Sequence, residues 1–173
     1  MKVRELMTTT VASCPPDANV GAAAIQMWEN DCGILPVVER DSGRVVGVIT
    51  DRDICMALAT TGKSPNERPV GEVVTGQHFS VPVDADVKDA LEAMEKHRVR
   101  RLLVTGPDGR LKGVLSINDL ILDANGTGGT ENHVPVPNLL QALKSICAHR
   151  PIERRKGSPA KRTAMGEMSL NAE

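Results

Sequence analysis

The chain repeats itself. Val3-Arg4-Glu5-Leu6-Met7-Thr8 returns as Val70-Gly71-Glu72-Val73-Val74-Thr75, a shift of 67 from position 3 to position 70, and Asp17-Ala18-Asn19-Val20 returns as Asp84-Ala85-Asp86-Val87 at the same shift. Gly47-Val48-Ile49-Thr50-Asp51-Arg52-Asp53-Ile54 returns as Gly113-Val114-Leu115-Ser116-Ile117-Asn118-Asp119-Leu120, shifted by 66 from position 47 to position 113. The one-residue slip falls between Val38 and Gly43, where a turn absorbs it. A unit repeated at a fixed period buries its apolar face against its own copy, so the duplication constrains every other reading.

Composition narrows the field further. The 173 residues are 40% apolar and 25% charged, ordinary for a globular protein, but they include one Trp, one Phe and no Tyr. The core is therefore aliphatic, and a flat ligand is gripped by aliphatic side chains and backbone. A net charge of −1 gives no general pull toward nucleic acid or membrane. The start, Met1-Lys2-Val3-Arg4-Glu5, lacks a signal-type apolar run, and no stretch approaches the roughly 20 apolar residues of a span, so a cytoplasmic location is expected. Cys14, Cys32, Cys55 and Cys147 are too widely spaced for a zinc or disulfide framework and are expected to be plain buried thiols. His78, His97, His133 and His149 are scattered, and no metal site is expected.

Each copy has the same grammar. An extended piece, Thr10 to Cys14, stops at Pro15-Pro16, and Asp17 is expected to cap a helix whose inward face is Val20, Ala23, Ala24, Met27 and Trp28. Gly33 suits the left-handed residue after that helix. Ile34 to Val38 and Arg44 to Ile49 read as strands joined by the turn Asp41-Ser42-Gly43, and a second helix opens at Thr50 and turns Ile54, Leu58 and Cys55 inward. In the second copy, Phe79-Ser80-Val81 is extended and Asp84 is the expected cap. The helix that follows carries Val87, Ala90, Leu91 and Met94, and strands Leu102–Val104 and Leu111–Leu115 follow, before Ser116 opens a helix. Thr60 to Pro69 reads as a polar linker. The division is 1–62, 63–123 and a 124–173 extension.

Chemistry concentrates where strand meets second helix. Thr50-x-x-Asp53 and Ser116-x-x-Asp119 occupy equivalent places. A hydroxyl followed three residues later by an acid is a capping box, which satisfies two orphan backbone donors. The same atoms suit a ligand: the helix start favours phosphate, and a carboxylate accepts both hydroxyls of a ribose. Gly47 and Gly113 keep the strand clear of a side chain that would crowd such a ligand. Arg52 either reaches the phosphate or is a solvated helix residue. The run His97-Arg98-Val99-Arg100-Arg101 either complements a helix end or lets Arg98 or Arg100 neutralise a polyphosphate, favouring ATP over AMP.

These residues resemble a family. Leu6-Met7-Thr8, Cys14-Pro15-Pro16-Asp17, Ile34-Leu35-Pro36-Val37-Val38 and Gly47 to Asp53, with Val81-Pro82-Val83-Asp84, Arg101-Leu102-Leu103-Val104 and Gly113 to Asp119, are similar to the cystathionine-β-synthase (CBS) domain, here in tandem as a Bateman module. The resemblance covers about residues 1–123. It implies an α+β fold: two strand-helix-strand-strand-helix repeats packed sheet to sheet with pseudo-twofold symmetry. It implies two clefts that bind AMP, ADP, ATP or S-adenosylmethionine as a regulatory ligand. The family pattern Gly-x-x-Ser/Thr-x-x-Asp maps onto Thr50 with Asp53 and Ser116 with Asp119. Ser13 and Ser80 map onto the strand that meets the base, and Ile34 and Arg101 onto the strand that lines its pocket. Leu103 stands where the first copy has Pro36, a departure that alters the second cleft. Homodimerisation is implied as well.

Beyond residue 123, Ala124 to Thr130 is a flexible composition, and Leu139, Leu140, Leu143, Ile146 and Cys147 mark one face of a helix at about 138–149, followed by a polar, basic tail. The expected function is a regulatory sensor of adenine nucleotides that signals by conformational change, with a protein partner regulated in trans. The alternative is a ligand-silent dimerisation or interaction module. An enzyme is not expected: the chain offers no nucleophile–base set, metal cluster or Walker-type loop. Nucleic acid binding would want stacking aromatics that the chain lacks.

Overall fold

In a computed structural model, residues 1–74, 78–124 and 133–148 are described. The first copy runs α1 (Val3–Leu6), α2 (Val20–Glu29), β1 (Ile34–Val38), β2 (Val45–Thr50) and α3 (Asp51–Thr61). The second runs β3 (Ser80–Pro82), α4 (Val87–His97), β4 (Arg101–Thr105), β5 (Leu111–Ser116) and α5 (Ile117–Asp123), and α6 (Val136–Cys147) follows. Both hairpins are antiparallel, and both carry an irregularity at equivalent places, Val37/Val38 and Val104/Thr105. Val38 pairs with Val45 and Thr105 with Leu111, so the connecting turn is one residue shorter in the second copy. That is where the repeat slips.

The first strand of the unit forms fully only once. In the second copy, β3 runs parallel to β4. In the first, the ladder shrinks to one bridge, Cys14 with Val37, because Pro16 and Pro36 lack the N–H groups that their counterparts Val83 and Leu103 donate to Thr105 and Phe79. Helix caps also differ from expectation. Asn19, not Asp17, caps α2 by accepting from the Ala22 N–H at 2.7 Å, while Asp17 pairs with Arg40. Asp86 occupies the cap position of α4 without a side-chain cap bond, pairing instead with Lys2 at 3.0 Å, and Asp84 binds Arg4 at 2.6 Å. The left-handed residues are Asp31 (φ 47°) and Arg98 (φ 52°), equivalent at shift 67, rather than Gly33. Trp28 is 88% exposed, not inward. At 3.6 residues per turn it lies roughly 80° round from Val20, beyond the edge of the buried stripe.

Two aliphatic cores result. Val20, Ala23, Met27, Leu35, Val37 and Ile49 centre the first; Val87, Leu91, Met94, Leu102, Leu115 and Leu120 centre the second. The leading segments are exchanged between them. Val3 is fully buried in the second core, with its N–H on the Ala85 carbonyl at 2.9 Å, whereas Val70 is fully buried in the first, with its N–H on Ala18 at 2.7 Å. The stretch expected as a polar linker is anchored. Gly62 (φ 63°) ends α3, Pro65–Glu67 forms a 3-10 turn against α2, and the Arg68 guanidinium donates to the Ala57 carbonyl at 2.9 Å.

Helix α6 packs on α4, burying Leu139 and Ala142, while Glu95 accepts from Gln141 (3.1 Å) and Ser145 (3.0 Å). Leu140 is half exposed and Cys147 exposed, so the buried stripe is narrower than the sequence pattern. Of the four thiols only Cys14 is buried, and burial pushes it up to about 11. Cys55 faces solvent rather than the core. The linker at 125–132 and the tail from 149 lie outside the described residues.

Candidate functional site

The two helix-opening motifs are both closed capping boxes. The Asp53 N–H donates to Thr50 Oγ1 at 3.2 Å, and Asp53 Oδ2 accepts from the Thr50 N–H at 3.0 Å and hydroxyl at 2.7 Å. Ser116 and Asp119 repeat the arrangement at 3.3, 2.7 and 2.7 Å. Three further donors at the helix starts are also spent. The Asp51 N–H bonds Gly33, the Arg52 N–H bonds Asp51 Oδ1, and the Ile117 N–H bonds Arg100. The start of α3 is therefore not the open phosphate cradle expected, and at α5 only the Asn118 N–H lacks an acceptor among the described residues. Among the described residues, Oδ1 of Asp53 and of Asp119 keeps a free acceptor. Gly113 is needed by the chain itself, since a Cβ there would meet the Thr8 carbonyl oxygen at 2.6 Å. The close approach comes from the exchanged leading segment, not a ligand.

The hydroxyls nonetheless border open clefts between the copies. One, of about 350 Å³, is walled by Thr50, Arg52, Phe79, Arg100 and Arg101 together with Ile34. The other, of about 230 Å³, is walled by Ser116, Asp119, Thr10, Ala12 and Cys32, again with Ile34 and Arg101. The repeat shift carries one wall onto the other: Thr50 to Ser116, Ala12 to Phe79, Cys32 to Val99. Ile34 and Arg101 are each other's equivalents, and both line both clefts, as residues near a pseudo-twofold axis must. A larger hollow of about 470 Å³ lies beside the exposed Trp28 and shares Gly33 and Asp51 with the Thr50 cleft.

Of the expected site residues, Ile34, Thr50, Arg52, Arg101, Ser116 and Asp119 stand on a cleft wall. Asp53 stands behind Thr50. Ser13 and Ser80 do not line either cleft. Ser80 is exposed in a separate hollow with Arg44 and Thr105, and Ser13 presents its carbonyl to the Gln26 amide at 3.2 Å. The residues before them, Ala12 and Phe79, line the clefts instead: alternation along extended chain turns Ser13 and Ser80 away and sets Ala12 and Phe79 on the face of Cys14 and Val81, at the edge of the cores. Phe79 thus puts the single Phe of the chain on a cleft wall, stacked on His97 with centroids 4.0 Å apart. Moving each strand residue one place would have found it.

The CBS domain family model matches residues 3–60 and 70–124. The chain is a CBS-domain protein. Its tandem pair is 35% identical over 121 residues to the uncharacterized Bacillus subtilis protein YlbB, covering 70% of this chain and 80% of that one. It is 31% identical over 145 residues to hypoxic response protein 1 of Mycobacterium tuberculosis, covering 84% and 93%. Among solved structures, a CBS domain protein from Pyrobaculum aerophilum complexed with AMP superposes with a TM-score of 0.63 at 30% identity, covering 69% of this chain and 90% of that one. Hypoxic Response Protein I with two coordinated zinc ions superposes with a TM-score of 0.63 at 32% identity, covering 70% and 98%. Among the described residues of this CBS-domain protein, no three His, Cys, Asp or Glu side chains gather as a metal site, and no helix is long and apolar enough to cross a membrane.

Proposed function

We propose that this CBS pair is a regulatory module that binds AMP, ADP, ATP or a related adenosyl ligand such as S-adenosylmethionine in its two clefts and passes occupancy on by conformational change. The observation that carries the reading is the pair of symmetry-related hollows, each bordered by a helix-opening hydroxyl and crossed by Arg101. AMP bound in the Pyrobaculum relative supports it. A hydroxyl-bearing sugar meets the free Oδ1 of Asp119, the base slides against Ile34 and the neighbouring aliphatic wall, and a guanidinium meets the phosphate. The bare apolar surface of Ile25, Trp28 and Met56 supports a homodimer. We place the protein in the cytoplasm, acting on a partner in trans and without catalysis of its own.

The closed capping boxes favour a second reading, a ligand-silent interaction module. Thermal melting separates the two. AMP, ATP or S-adenosylmethionine at about 100 times its dissociation constant stabilises the sensor by about 2.7 kcal/mol. An unmoved melting temperature with all three sinks the sensing reading and leaves the interaction module.

A further inference from the structure

The two clefts share a plan but not a charge. The Thr50 cleft carries Arg52, Arg100 and Arg101 against one carboxylate, Asp51, whose Oδ1 already accepts from the Arg52 N–H. His78 completes its wall, and the Nδ1 of that ring is buried without a hydrogen-bond partner. The Ser116 cleft has Arg101 against Asp119. Duplication did not copy the other cations: the equivalent of Arg52 is Asn118, and the equivalent of Arg100 is Gly33. Among the described residues no carboxylate pairs with Arg52, Arg100 or Arg101, so all three guanidinium groups are available. At the Thr50 helix the four N–H groups from Thr50 to Asp53 are spent within the chain, so phosphate charge in that cleft is met by side-chain cations.

We propose that the clefts are matched to ligands of different charge: the Thr50 cleft takes a nucleoside triphosphate, and the Ser116 cleft an adenosyl ligand with at most one phosphate. The proposal rests on the adenine-ligand reading above. A triphosphate brings several negative charges, and three arginines, each a forked donor, line this one cleft. A cleft with a surplus of positive charge also concentrates anions from solution. In the Ser116 cleft each further phosphate is repelled by Asp119, and one shared arginine cannot offset it. The larger volume, about 350 against 230 Å³, falls to the cleft with the more cationic wall.

Calorimetric titration of the full chain with ATP, AMP and adenosine, with and without magnesium, tests this. In the wild type, ATP fills one site at least about tenfold more tightly than AMP fills that site, and its affinity falls steeply with salt. The double variant Arg52→Gln/Arg100→Gln loses at least about tenfold in ATP affinity while adenosine binding changes less than about twofold. Asn118→Arg, a gain of charge that requires no loss of fold-bearing contacts, raises ATP affinity at the Ser116 cleft. Equal ATP and AMP affinities in the wild type, unchanged in the double variant and in Asn118→Arg, overturn charge matching but leave nucleotide sensing standing. No heat with any adenine ligand overturns both.

Discussion

Asp53 and Asp119 occupy the same place in two copies of one capping box, yet only Asp119 reaches a cleft wall. A carboxylate that closes a cap and one that also faces a ligand respond differently to removal. Asp53→Ala and Asp119→Ala each cost about 1 kcal/mol of stability through the lost cap. Asp119→Ala additionally weakens adenosyl binding, whereas Asp53→Ala leaves most of it. Urea unfolding beside calorimetric titration of the two variants checks this, and equal losses of affinity would mean that Asp53 reaches the ligand after all. The boxes were readable from spacing alone, because a hydroxyl and an acid three residues apart admit one local geometry at a helix start. Which way a carboxylate's second oxygen points was not, since that depends on the partner copy's wall.

At the scale of elements, the duplicated pattern located every strand and both long helices of each copy, because strand alternation and the helical stripe are local. Caps were less legible: Asp17, Asn19, Asp84 and Asp86 all suit a cap chemically. The choice among them falls to ion pairs with Arg40, Arg4 and Lys2 from distant segments. Trp28 was misplaced for a related reason. Its counterpart is Glu95, which α6 covers, and among the described residues no equivalent helix covers Trp28. Helix α6 holds to α4 chiefly through Leu139 and Ala142. Leu139→Ala therefore destabilises by about 2 kcal/mol or more, measured by urea unfolding, with the nucleotide response unchanged. A cost near zero would show that α6 lies on α4 without bearing on the second core.

For the whole molecule, the clefts exist only because the copies face each other, and neither the shared Arg101 nor the aromatic wall at Phe79 is a property of one repeat. That is why the cationic run is legible in the sequence, but not which cleft its arginines line. The exchanged leading segments go further. Val3 completes a core made by residues 60 or more positions later, and Val70 completes the earlier one. Expressed separately, residues 1–62 and 63–173 each lack a buried valine and a backbone partner, and so stay largely unstructured, since the single repeat of about 60 residues that each contains is marginal even when intact. Mixed, they assemble into the native pair, which circular dichroism and a single cooperative melt would record. A cooperative melt from either fragment alone would show that its core closes without the borrowed valine. Such complementation makes the peptide bond after Gly62 dispensable while the embrace it connects is not: a gene split at this point would still encode one working machine, provided both polypeptides are made in the same cell.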